Sequence, residues 1–274
     1  MIGDENESEL DDEFPIHAPD VDQRYIVPGL SRGLALLTLF GKKPEMKLAE
    51  IAVGAGMSRS AAFRLIYTLE KENYIRRDPL TRRYSLTSKV LSLGFVYLNS
   101  QPLVELVHPY LRRVSAATNA AAHLIQRDGT WAVYLARVAP NATLVANLQV
   151  GRRLPVHATA SGRVLLSGLD GNAIKDLYEE MRREHREPPP PSLKYLIARA
   201  VEDRARGYVM GESMFDPGVM SFAAPVRDGT EAVIAAMNVV GPRSLMERLG
   251  DAAAINKIVG KQAHDLSEAI GYRS

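Results

Sequence analysis

Three groups of residues in this 274-residue chain combine types and spacings that could do chemistry. The first is Ser58, Arg59, Ser60, Ala61, Phe63, Arg64, Tyr67 and Lys71, several of which recur at the spacing of one helix face. A helix that presents Arg59, Ser60 and Arg64 near its start can reach phosphates and base edges from a DNA major groove. The second is Arg76, Arg77, Arg82 and Arg83, carried on two short alternating segments joined by Asp78-Pro79. Four guanidinium groups on one ribbon are costly to bury and easily exposed, and exposed they suit a sugar-phosphate backbone. Arg76, Arg82 and Arg83 are the candidate contacts.

The third group is Thr159-Ala160-Ser161-Gly162, read as the start of a helix. Small residues there leave backbone N–H groups open to an anion, and the helix dipole favours a carboxylate. Thr159 and Ser161 would serve equally as plain N-caps.

Enzymatic chemistry finds little support. No His-Glu-x-x-His, phosphate-binding glycine-lysine loop or dinucleotide fingerprint occurs. The hydroxyls near His157 suggest a hydrolase as the rival reading, but spacing supplies no acid to complete a triad. His157 itself is read as structural. The chain has no cysteine, which excludes disulfides and thiolate metal sites. No catalytic residue, metal or cofactor is expected.

The elements that must position these groups follow from charge and periodicity. The net charge of +2 is unevenly spread. Residues 1–22 hold nine acids and no Lys or Arg, so an acidic, disordered tail is expected over 1–23. Residues 23–95 hold thirteen Lys or Arg against five Asp or Glu, which points to a polyanion partner. Helical stripes are predicted at Leu30, Leu34 and Leu37, with Leu36 and Phe40 beside them, then at Leu48, Ile51, Ala52 and Ala55, then at Ala62, Leu65, Ile66 and Leu69. Gly54-Ala55-Gly56 supplies the turn between the second and third, and a β-hairpin follows over 74–86. Three helices and an arginine-bearing hairpin make a winged helix-turn-helix.

Residues 88–100 are apolar on more than one face and want two neighbours. Beyond them a helix is predicted over 103–118, with strands over 121–127, 130–138, 144–150, 208–211, 220–227 and 232–240. Helices are predicted near 160–167, 172–184, 194–206 and 251–270, and the tetraproline Pro188–Pro191 marks an exposed connector. The class is α+β, with an antiparallel sheet and helices around it. On the strands, His123, Trp131, Tyr134 and Arg137 are placed where alternate residues can face a pocket. An arginine suits a carboxylate, and an aromatic ring suits an aromatic acid.

The segments VPGLSRGLALLTLF, LAEIAVGAGMSRSAAFRLIYTLEKENYIRRD and YSLTSKVLSLG resemble the winged domain of the IclR family of transcription regulators. The opening Tyr25-Ile26-Val27-Pro28-Gly29-Leu30 resembles the branch controlling protocatechuate, 4-hydroxybenzoate and β-ketoadipate breakdown. VGRRLPVHATASGRVLL, RARGYVMGE and DPGVMSFAAPVRD resemble the family's effector-binding domain, which is GAF-like. The resemblance implies a DNA-binding domain over 24–87, a linker helix over 88–101 and an effector domain over 102–274. It also implies a small carboxylate held near Thr159, Ala160, Ser161, Gly211 or Glu212, Ser221 and Asn238, while strand alternation makes Arg137 a further candidate. Gly211 and Asn238 depart from the acidic residue and serine expected there, leaving room for an effector larger than a keto acid.

The expected partners are double-stranded operator DNA, the carboxylate effector and a second copy of the chain, with a dimer of dimers open and no membrane. The expected location is the cytoplasm. A purely architectural DNA-binding protein is the second rival, but it would leave the large C-terminal half without a role.

Overall fold

The computed structural model describes residues 23–41, 43–140, 148–185 and 187–273. The predicted tail lies outside these residues, apart from Gln23, which opens a short 3-10 turn. The chain divides into two compact units, Met1–Leu93 and Gly94–Ser274.

The first unit holds α1 (Pro28–Leu39), α2 (Leu48–Gly54), α3 (Arg59–Lys71) and a hairpin of β1 (Ile75–Arg77) and β2 (Tyr84–Leu86). Pro28 starts α1, where its missing N–H costs nothing. The α1 stripe needs correction. Leu30 and Leu34 are 63% and 55% exposed, while Gly33, Leu36 and Phe40 are buried. Both stripes are apolar, so periodicity alone cannot choose. The core formed with Ile51 and Ile66 takes the second. Each such buried aliphatic side chain contributes about 1.5–3 kcal/mol.

Gly56, at φ +61°, makes the turn after α2 that a side chain would strain. Met46 pairs with Tyr84 in a bridge, adding a third strand position to the hairpin that periodicity did not reveal. Helix α4 (Lys89–Asn99) follows, and the division between the units falls within it.

The second unit is built on a six-stranded antiparallel sheet. Its strands are β3 (Ala121–Asp128), β4 (Trp131–Val138), β5 (Arg153–Pro155), β6 (Val209–Glu212), β7 (Val219–Arg227) and β8 (Val233–Pro242). Their order is β5-β4-β3-β8-β7-β6. The predicted Asp128-Gly129 turn joins β3 and β4, with Gly129 at φ +55°. Helices α5 (Pro102–Thr118) and α10 (Ala252–Ala269) cover one face through Leu111, Val114, Val259 and Leu266. Helices α6 (Ala160–Ser167), α7 (Gly171–Glu184) and α8 (Leu193–Arg206) cover the other through Val164, Leu165, Ile174, Met181 and Leu196.

The strand predicted at 144–150 falls largely outside the described residues, and 148–150 are not strand. Instead the short β5 pairs with β4, and a further helix, α9 (Arg243–Arg248), follows β8. Among the described residues no single helix is long and apolar enough to cross a membrane.

Candidate functional site

Two surfaces carry the predicted chemistry, one in each unit. In the first, Ser58 caps α3, its Oγ accepting the Ala61 N–H at 3.3 Å. Ala62 and Ile66 turn into the core. Arg59, Ser60, Phe63, Arg64 and Tyr67 are exposed, with Ala61 partly so. Phe63 and Tyr67 lie one turn apart with ring centroids 6.3 Å from each other, and the Lys71 ammonium sits 5.4 Å from the Tyr67 ring. Among the described residues, Arg59 and Arg64 have no ion-pair partner. One helix therefore shows a cationic, partly aromatic face with its hydroxyls at the N-terminal end.

The hairpin arginines separate into two kinds. Arg82 sits exposed at the turn with φ +55° and no ion-pair partner among the described residues. Asp78 organises this turn: its Oδ1 accepts the N–H groups of Thr81 and Leu80 at 2.7 and 2.9 Å. Those bonds, led by Thr81, hold the Asp78 carboxyl below its usual range. Arg76 is exposed and its Nε donates to Ser85 Oγ at 3.3 Å. Arg77 lies 5.7 Å from the Tyr84 ring.

Arg83 is different from the free cation expected of it. It is only one-third exposed, and it donates to the Glu45 carbonyl oxygen and to Glu50 Oε2 at 3.3 Å. Glu50 also accepts from Lys43 and the Lys47 N–H, and these bonds draw its pKa down to about 2. Arg83 thus ties the hairpin to α2. Arg76 and Arg82 remain exposed candidates for backbone contact.

In the second unit, Thr159 caps α6, with its Oγ1 accepting the Gly162 N–H at 2.9 Å. The first-turn N–H groups of Ala160 and Ser161 find no acceptor within the helix. Gly162 is required by close approach, since a Cβ there would lie 1.9 Å from the Val156 carbonyl oxygen. The chain before α6 therefore packs against the helix more tightly than any side chain would allow.

This helix start borders a small cavity of about 40 Å³. Thr159, Ala160, Glu212 and Ser221 line it, together with Tyr134, Phe215 and Arg152. Glu212 is already engaged, pairing with Arg243 and accepting the Gly218 N–H at 3.0 Å. Gly211 stands opposite Ser221 in the β6–β7 ladder, with open space where a side chain would be.

Ser161 and Asn238 do not line the cavity. Each is 1% exposed, with Asn238 Nδ2 donating to Ser161 Oγ at 2.8 Å. The Asn238 Oδ1 stands 2.9 Å from His123 Nδ1, so the neutral ring donates there. Burial draws the His123 pKa down to about 4 and pushes the Tyr134 hydroxyl up to about 12. Arg137 lies across from His123 in the β3–β4 ladder and does not line the cavity either. Trp131 packs on His185 instead, with centroids 4.5 Å apart.

Arg152 is one cavity residue that the sequence pattern did not reveal, with Phe215 and Asp216. It precedes β5 in a stretch with no periodicity, although it sits inside the VGRRLPVHA segment that carried the family resemblance.

Residues 29–79 match the IclR helix-turn-helix domain, and residues 95–268 match the bacterial transcriptional regulator IclR C-terminal domain. The chain is 34% identical to the Pca regulon regulatory protein of Pseudomonas putida, over 77% of this chain and 72% of that one. It is 30% identical to the HTH-type transcriptional regulator XynR of Escherichia coli, over 90% and 98%. Among solved structures, an IclR family transcriptional regulator from Brucella abortus superposes with a TM-score of 0.74 at 26% identity, covering 93% of this chain and 96% of that one. With both domain matches falling on the two units just described, the chain belongs to the IclR family and is a DNA-binding transcriptional regulator with an effector-binding domain, not an enzyme.

Proposed function

We propose that this regulator controls an operon for aromatic-acid breakdown and responds to a small aromatic carboxylate bound at the start of α6. The observation that carries the reading is the pairing of Arg152 with the Thr159–Ala160 helix start around a cavity that Tyr134, Phe215, aliphatic side chains, Ser221, Asp216 and the Arg243-paired Glu212 also line. A cation and open N–H groups seat an acid, and the rings flank an aromatic body. The similarity to a Pca regulon regulatory protein supports the same class of pathway. The cavity as it stands holds little more than one water, so an aromatic acid enters only if its walls move. That movement gives ligand binding a conformational consequence, as an effector requires.

In this reading α3 enters the major groove, with Arg59, Ser60 and Arg64 nearest the bases. Ser58, Ala61, Phe63 and Tyr67 flank them, and Arg76 and Arg82 hold the backbone. The chain acts as a homodimer in the cytoplasm. Helix α4 buries none of its residues and leaves Leu91, Leu93, Phe95 and Val96 more than half exposed, a surface suited to a second copy. The test is binding of the full-length chain to duplex DNA from its own upstream region, with and without protocatechuate or 4-hydroxybenzoate. A ligand-dependent change in operator affinity supports the reading. Operator binding indifferent to every aromatic acid tried defeats the effector assignment.

A further inference from the structure

A cavity of about 470 Å³ lies elsewhere in the second unit, more than tenfold larger than the one at the α6 start. Its size falls within the roughly 300–1,000 Å³ range of small-molecule sites. It opens between α6, α8 and the Pro189–Pro191 connector, and shares no lining residue with the first cavity.

Its charged lining residues are Arg163, Arg199 and Asp203. Arg163 and Arg199 both line it, their side chains 24% and 30% exposed. Arg163 is fixed by two bonds to Asp203, Nε to Oδ2 at 2.9 Å and Nη2 to Oδ1 at 2.7 Å. The Asp203 carboxylate is 1% exposed and also meets Arg206 at 3.4 Å, so the acid is neutralised from two sides. Arg199 has one exposed partner, Glu202 at 2.9 Å. Leu166, Leu196, Tyr195 and the Pro189–Pro191 rings supply apolar lining.

Two polar atoms on these lining residues have no partner. His157 is 7% exposed, and its Nε2–H donates to the Pro188 carbonyl oxygen at 3.1 Å. Burial lowers its pKa and keeps the ring neutral, so Nδ1 is a bare acceptor, and it is buried without a donor. The Arg199 Nε is a buried donor without an acceptor. Native interiors rarely leave such atoms unpaired.

We propose that this cavity is a second ligand site, separate from the one at the α6 start, for a small flat carboxylate that also carries a hydroxyl group. The carboxylate would lie on the Arg163–Arg199 side and the hydroxyl would donate to His157. The prolines and leucines would sandwich the body.

The experiment is a titration of the full-length chain, carbon-labelled at histidine Cε1, with 4-hydroxybenzoate, using benzoate as the comparator that lacks the donor. His157→Gln assigns the His157 resonance. The expected result is a saturable shift of that resonance at or below about 1 mM 4-hydroxybenzoate, with benzoate binding about tenfold more weakly. Arg199→Met should raise the concentration needed by about tenfold or more, and Ser221→Leu, in the first cavity, should leave it unchanged. Should Arg199→Met fail to fold, Tyr195→Ala tests the same wall from a side chain that is 54% exposed. A His157 resonance that stays still at about 1 mM ligand overturns the site, whatever happens at the first cavity. So does a shift that Ser221→Leu abolishes. A melting temperature that rises with ligand while His157 stays still leaves the α6 reading standing and removes only this one.

Discussion

Asn238 on β8 donates a 2.8 Å hydrogen bond to Ser161 on α6, joining residues 77 positions apart in the chain. The same side-chain amide accepts from His123 on β3, so one group ties the helix start to the two central strands of the sheet. Asn238→Ala should destabilise the second unit by about 1–3 kcal/mol, because it leaves buried Ser161 and His123 atoms unpaired. Chemical denaturation monitored at Trp131 measures this. A variant as stable as the parent chain would show that the bond contributes nothing net.

Gly162→Ala should be worse than its single methyl suggests. The new Cβ would meet the Val156 carbonyl oxygen at 1.9 Å, so the helix must part from the chain before it. The expected cost is about 3 kcal/mol, at the upper end of overpacking, with loss of any ligand-induced rise in melting temperature.

Arg82 and Arg83 should behave differently despite adjacency. Arg82→Ala should lower the salt dependence of DNA binding by about 1 in log–log slope and leave stability unchanged. Arg83→Ala should lower the melting temperature of the first unit, because Glu50 loses a partner and the hairpin loses its tie to α2. Arg64→Ala should weaken operator binding more than binding to unrelated DNA. Equal losses on both would remove its base-reading role.

His123 gives the second unit a pH dependence. Its folded pKa of about 4 lies below the ordinary 6.5, so the unfolded chain takes up the proton first as pH falls. Stability from this group is full above pH 6.5 and is lost progressively between 6.5 and about 4, by about 3 kcal/mol. His123→Gln should flatten that part of the stability–pH curve.

Leu91→Lys with Phe95→Lys should dissociate the homodimer proposed through α4 at micromolar concentration, as read by light scattering behind size exclusion. Both side chains are more than half exposed, so the monomer should keep its fold.

Local pattern determined much of this protein. Period and punctuation placed α2, α3, the arginine hairpin and the Asp128-Gly129 turn, because each depends on spacing and turn chemistry within a dozen residues. Thr159 as a cap and Gly162 as a neighbour in the same motif were legible for the same reason. Tertiary structure decided what depends on distant partners. It chose Leu36 over Leu34 as the core side of α1, since both stripes are equally apolar and only contact with Ile51 and Ile66 separates them. It turned Arg83 toward Glu50, buried Ser161 and Asn238 outside the lining of the cavity they were expected to line, and brought Arg152 to that cavity from an aperiodic stretch. A hydrogen bond across the fold has no period, so no window of sequence contains it.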